Sequence, residues 1–234
     1  MSPSKELNLI WVKWICIVLA CLLMFVGFVY AYDKPGGIAD WRYSRAAGYP
    51  GTIHIPLGDT PEQAVLKFRQ SDKLKVVHKE AVHGGVLLFV KQNEIKEGAD
   101  LGIEYVIKTW MGWKWRYGGA YGLSTPTVQN EALNFMSLPK YKGIDGPLPI
   151  MFGQLTDSSI TSVKVTVSGQ EAGSYSATII EYGPEQHRLW YVVLPVSSNK
   201  PYKLEAFNDN EEVLASKTFD NPTDFGSILM FNKE

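Results

Sequence analysis

From Trp14 to Tyr32 the chain reads WICIVLACLLMFVGFVYAY, 19 residues without a charge. At a rise of about 1.5 Å per residue, a helix of that length matches the roughly 30 Å hydrocarbon core of a bilayer. A helix is also the form in which a single segment pairs all its own backbone polar groups in lipid. The run therefore predicts one transmembrane helix over 14–32, preceded by an inner tail, residues 1–13. Trp11 and Trp14 at one end, and Tyr30 and Tyr32 at the other, stand where amphipathic rings prefer the interface, and Lys13 can snorkel to the headgroups. Lys5 and Lys13 before the span place the N-terminus inside, although Glu6 offsets part of that charge and Lys34, Arg42 and Arg45 follow the span. The expected location is the cell membrane, single-pass, with the C-terminal part extracytoplasmic.

Two rival readings of the same segment are weaker. Val29-Tyr30-Ala31 has the small-residue pattern of a signal-peptidase site, but secretory apolar regions are usually about 7–15 residues long and this one is longer. Val18-Leu19-Ala20-Cys21 faintly resembles a lipidation site, yet the apolar run continues well past Cys21. The segment is expected to be retained as a signal-anchor. Cys16 and Cys21 are the only cysteines, so the remainder of the chain can form neither a disulfide nor a thiolate metal site.

Residues 33–58 mix Pro and Gly with scattered aromatics and keep no sustained period, so they read as a spacer with one short strand at Thr52–Ile55. Thr60-Pro61-Glu62-Gln63 is a helix start, with Thr60 as N-cap, Pro61 at the first helical position and Gln63 bonding back to the cap. Ala64, Val65 and Phe68 give that helix an apolar stripe ending near Ser71. Four strand-like runs follow: Leu74–Val82, Val86–Lys91, Leu101–Trp110 and Trp113–Tyr121. In the third, Leu101, Ile103, Tyr105 and Ile107 alternate with Gly102, Glu104 and Lys108, which predicts one buried face and one wet face. The expectation for 59–125 is an α+β domain, one helix on a four-stranded antiparallel sheet.

Pro and Gly crowd 138–149, which marks 126–149 as a linker, with a short helix at Thr127–Met136. Six further strand candidates follow: Ile150–Leu155, Ile160–Ser168, Tyr175–Tyr182, His187–Leu194, Tyr202–Asn208 and Val213–Phe219. Regular turns between short strands predict an all-β immunoglobulin-like sandwich over 150–234. On this reading proteolysis cuts first in 138–149 and releases the C-terminal domain.

Thr60-Pro61-Glu62-Gln63-Ala64-Val65 at a helix start, Gly112-Trp113-Lys114-Trp115 followed by Gly118-Gly119, Arg188-Leu189-Trp190-Tyr191, and the turn Phe207-Asn208-Asp209-Asn210 together carry a resemblance. The chain resembles single-pass membrane-anchored extracytoplasmic proteins of Gram-positive spore-forming bacteria. The likeness covers most of the chain beyond the apolar segment and rests on structural punctuation. It implies a location and no activity.

The net charge of -1 divides unevenly: residues 1–144 carry 17 Lys and Arg against 12 Asp and Glu, and residues 145–234 carry 6 against 12. A basic half beside a membrane attracts anionic headgroups or wall polymers. Its charges are spread singly along strands, which is too dilute for a nucleic-acid phosphate backbone. No Gly-x-Ser-x-Gly, His-Glu-x-x-His, phosphate-cradling loop or calcium loop occurs. Ser-x-x-Lys occurs at Ser2–Lys5, Ser137–Lys140 and Ser197–Lys200, but the first lies in the inner tail and no Lys-Thr-Gly accompanies the others. His78 and His83 fall on opposite sides of a strand, which argues against metal ligation. Glu94, Glu97 and Asp100 read as a solvated hairpin connection.

These residues predict a non-enzymatic interaction or binding module of the envelope, without cofactor or metal. The expected partners are the membrane through the N-terminal helix, and another envelope protein or an anionic wall polymer. An envelope enzyme and a sensory accessory subunit of a membrane complex are the alternatives. Period-2 geometry places Trp113, Trp115 and Tyr117 on one strand face, read as core beneath the helix, and Lys114 and Arg116 on the other. Arg116 and Tyr121, the latter expected to be exposed, are the candidate ligand contacts.

Overall fold

The computed structural model describes residues 3–92, 100–123, 130–195 and 198–231. Helix α1 (Pro3–Asp33) is one unbroken helix, long and apolar enough to cross a membrane, and none of its apolar window is covered by the rest of the chain. It takes in most of the segment expected to be a separate inner tail.

The expected spacer is ordered. Helix α2 (Ile38–Ala46) follows α1 after one turn, and strand β1 is Leu57–Gly58, downstream of the strand expected at Thr52–Ile55. Periodicity could not reveal α2, because its buried residues are Ala39, Asp40, Tyr43 and Ser44, which form no apolar stripe. Helix α3 (Pro61–Arg69) forms as its cap requires: the Thr60 side chain accepts from the Gln63 N–H at 3.2 Å. Gln63 in turn accepts from the Asp59 N–H, one residue ahead of the cap, at 3.2 Å.

Strands β2 (Leu74–Val82), β3 (Gly85–Gln92), β4 (Asp100–Thr109) and β5 (Gly112–Gly122) form an antiparallel meander, and β1 pairs with β5 to give the order β1-β5-β4-β3-β2. The remaining strands are β6 (Glu131–Leu138), β7 (Ile150–Leu155), β8 (Ser162–Gly169), β9 (Gly173–Ser176), β10 (Thr178–Tyr182), β11 (His187–Val193), β12 (Ser198–Phe207), β13 (Val213–Phe219) and β14 (Phe225–Leu229). They make two antiparallel sheets, β10-β11-β7-β6-β14 and β13-β12-β8-β9. Residues 131–136, expected to be helical, lie in β6, while 127–129 lie outside the described residues.

The layers stack in sequence. Helix α3 covers one face of the first sheet, where Phe68 stacks on Trp115 with ring centroids 3.8 Å apart. The opposite face packs on the second sheet through Phe89 against Tyr191 and Tyr121 against Phe152. One apolar cluster holds both contacts, and a second cluster fills the space between the second and third sheets around Trp190, Phe135, Val165 and Leu204. The middle of the second sheet is therefore buried on both faces, and every residue of β7 is buried, while the outer strands β10 and β14 keep exposed residues. Strands covered on both faces read as continuous apolar runs, as Ile150–Leu155 does.

Two expectations change with this arrangement. The wet face of β4 is covered at Gly102 and Glu104, which are buried, and open at Lys108. The segment 138–149 does not separate two cores: Leu138, Ile144, Leu148 and Ile150 belong to the first cluster, and β6 before it pairs with both β7 and β14.

Candidate functional site

Three charge pairs are built into the first sheet, each needing its partner because a buried charge without one is costly. Arg69, the last residue of α3, donates from Nε and Nη2 to the two carboxylate oxygens of Glu104 at 2.8 and 3.0 Å. The Trp115 indole N–H adds a third bond to Glu104 at 2.5 Å. Burial pushes the Glu104 carboxyl above its ordinary value, against the pull of Arg69 and Trp115. Gly118 leaves the space this carboxylate occupies, since a Cβ there would stand 1.9 Å from Glu104 Oε2. The neighbouring Gly119 admits Leu138 of β6 in the same way.

The second pair joins α2 to β5. Lys114 Nζ lies 2.6 Å from Asp40 Oδ1, and both side chains are 0% exposed. Lys114 also donates to the Asp33 carbonyl at the end of α1 at 2.8 Å, while Asp40 Oδ2 accepts from the Gly36 and Ile55 N–H groups at 2.8 and 2.9 Å. This node ties the end of α1, the turn after it, α2 and the sheet together.

The third pair borders a cleft. Lys91 Nζ lies 3.6 Å from Asp100 Oδ1, with both side chains 6% exposed, and Asp100 Oδ2 accepts from the Gln92 N–H at 2.7 Å. Beside it, between the β2–β3 edge of the first sheet and the β10–β11 turn of the second, is a cleft of about 420 Å³. Lys75, Lys91, Tyr182 and His187 line it. Lys75 stands directly opposite Lys91 in the β2–β3 register. Like charges opposed across antiparallel strands destabilise the pair; here the Asp100 carboxylate answers Lys91, and the exposed Lys75 faces the cleft. Tyr182 is fixed by the amide of Gln154, which donates to its hydroxyl at 2.6 Å, and the His187 ring lies 5.7 Å from the tyrosine ring. Glu185 sits 3.2 Å from His187 Nε2 and is exposed. The exposed Lys75 ammonium, beside the Lys91–Asp100 pair, together with an imidazole and a fixed aromatic wall, can hold a phosphate or carboxylate group.

The residues expected to touch a ligand lie elsewhere. Arg116 is the extra residue of a β-bulge, because Tyr105 pairs with Tyr117 and Val106 with Trp115. It borders two clefts, about 230 and 350 Å³, beside the end of α1. Tyr121 is 4% exposed and packed on Phe152, so its expected exposure is corrected. Burial raises its hydroxyl pKa well above the ordinary value, with Tyr182 adding to the rise and Asn134 opposing it. Period-2 alternation sends the side chain inward, and the second sheet covers that side. Arg116 and Tyr121 do not converge. His78 pairs with Glu80 at 3.2 Å, and among the described residues no group of three or more His, Cys, Asp or Glu side chains is placed to hold a metal. Glu94 and Glu97 lie outside the described residues.

The cleft was not visible in the sequence, because Lys75 and Lys91 come from one sheet and Tyr182 and His187 from another about 90 positions later. The one local signal is Lys91 closing the apolar run Val86–Val90, where alternation puts it on the covered side with Leu87 and Phe89. No known protein family, curated protein or solved structure matches the chain.

Proposed function

We propose that this chain is a single-pass membrane-anchored binding module on the extracytoplasmic side of a bacterial envelope, and that its far cleft holds an anionic group of a wall polymer. The anchor reading rests on an apolar α1 whose membrane-length window has no residue buried by the rest of the chain. The observation that carries the ligand class is Lys75 opposed to Lys91 at the mouth of a cleft walled by Tyr182 and His187. The cleft lies at the end of the sheet opposite the β4–β5 hairpin, which packs beside α1. An anchored protein would therefore present it away from the bilayer.

We also infer an immunoglobulin-like arrangement for the second half. With β6 taken as strand A, the order β6-β7-β11-β10 corresponds to A-B-E-D, and β9-β8-β12-β13 to C′-C-F-G. Strand β14 then extends the first of these sheets beyond strand A.

The test is retention of the detergent-solubilised full chain on purified cell wall before and after extraction of its anionic polymer. Lys75 is exposed and its replacement leaves the Lys91–Asp100 pair intact. Lys75→Glu is expected to weaken retention by about tenfold, the equivalent of ~1.4 kcal/mol, and retention should fall as salt rises. Equal retention of Lys75→Glu and the parent chain, or retention indifferent to polymer removal, overturns the ligand assignment.

A further inference from the structure

The hairpin joining β4 and β5 projects Trp110 and Met111 along the side of α1. Trp110 is 80% exposed, yet its ring meets Phe25 edge-on with centroids 5.7 Å apart. Phe25 lies seven residues inside Tyr32, the outer end of the apolar run, and hence about 10 Å below it along a helix. If α1 spans the bilayer, the tip of the hairpin stands at the same depth. Non-helical backbone at that depth must satisfy its own polar groups. Thr109 does this for two of the turn's groups: its hydroxyl accepts from the Met111 N–H at 3.2 Å and donates to the Gly112 carbonyl at 3.0 Å. The two residues that reach furthest, a tryptophan and a methionine, are apolar, and the charged groups lie one step back. Lys108 Nζ sits over the Trp113 ring at 5.2 Å, and Lys108 and Arg116, with the carboxylate residue Asp33, border the groove of about 350 Å³ between hairpin and helix. Phe25, Phe28, Val29 and Trp110 form the apolar length of that groove.

We propose that the β4–β5 hairpin is a second membrane contact: Trp110 and Met111 enter the outer leaflet beside α1, and the groove between them is filled by a lipid acyl chain whose headgroup phosphate meets Lys108 and Arg116. This rests on the anchored reading of α1, and the test separates the two. In a Cys16→Ala, Cys21→Ala background, single cysteines are placed at Met111, at Leu23 in α1, and at Asp209 in the β12–β13 turn. Each carries a nitroxide in the full chain, reconstituted into phosphatidylcholine vesicles containing phosphatidylglycerol. Accessibility to oxygen against a water-soluble nickel chelate then reports depth. The expected result is an oxygen-to-nickel ratio at Met111→Cys close to that at Leu23→Cys and several-fold above that at Asp209→Cys. A lipid reading at Leu23→Cys with an aqueous reading at Met111→Cys overturns the hairpin insertion alone. Aqueous readings at both overturn the anchor, and the insertion with it.

Discussion

Trp115 works through three contacts at once: the stacked ring of Phe68, the edge of Tyr43 at 5.8 Å and the carboxylate of Glu104. Removing the ring in Trp115→Ala is expected to cost about 3–5 kcal/mol through lost burial and a residual cavity, read as a lowered Tm of the full chain in detergent. Glu104 gives a pH signature. Its folded pKa is raised above the ordinary 4.5, so between those values the folded state binds more protons than the unfolded one. Its contribution is then greatest below the unfolded pKa and is lost as pH rises through the folded value. Glu104→Gln keeps the shape and removes the titration. The Tm difference, parent minus variant, should therefore decline with rising pH; a difference flat with pH, or growing, refutes the raised pKa. The role of Trp115 could be read from alternation and from the apolar stripe of α3. That of Tyr117 was misplaced, because the bulge at Arg116 turns it to the opposite face, toward Tyr105. A bulge leaves no mark in the period-2 pattern before it occurs.

At the scale of elements, the strands were legible wherever alternation or a tight turn marked them. Leu74–Val82, Ile150–Leu155 and Val213–Phe219 have the expected bounds. Helix α2 and strands β6 and β14 were not, and the single strand expected at Tyr175–Tyr182 is two, β9 and β10, which lie in different sheets. Glu131-Ala132-Leu133 favours helix intrinsically, yet β6 is a strand because burial between two sheets outweighs a propensity of tenths of a kcal/mol. Helix α2 is held by polar groups: Ser44 donates to the Asp40 carbonyl at 2.7 Å and accepts from the Ile53 N–H at 2.8 Å. Its stability depends on the Asp40–Lys114 pair. Lys114→Met leaves a buried carboxylate short of its cation and is expected to cost about 3–5 kcal/mol. Combining it with Asp40→Leu should cost less than the sum of the single changes, since the stranded charge is gone. Additive losses in thermal unfolding would show that the two side chains act independently.

The whole body is a stack in which the middle of the second sheet, strand β7, has no free face. The sequence divided this body at 138–149, since Pro and Gly mark a break in the chain but carry no information about which surfaces meet across it. A cut there leaves β6 with the N-terminal piece and strips β14 of the strand it pairs with. The liberated 150–234 fragment is therefore expected to unfold or stay bound to the remainder, and calorimetry of the uncut full chain should give one cooperative transition. A stable, soluble 150–234 fragment, or two separated transitions, would restore the division. The Lys114–Asp40 node has a mechanical corollary. Residues 34–37 form one hydrogen-bonded turn, and Lys114 grips both the end of α1 and the helix after it. If α1 stands in a bilayer, these bonds leave little slack between stem and head, and the head would be carried as on a mast instead of a leash. Strand β4 is ten residues long, which sets the far cleft roughly 30 Å along the strands from the hairpin. A mast samples one layer of its surroundings at a set height, and any lateral pull on its head arrives at the base as a tilt of the stem.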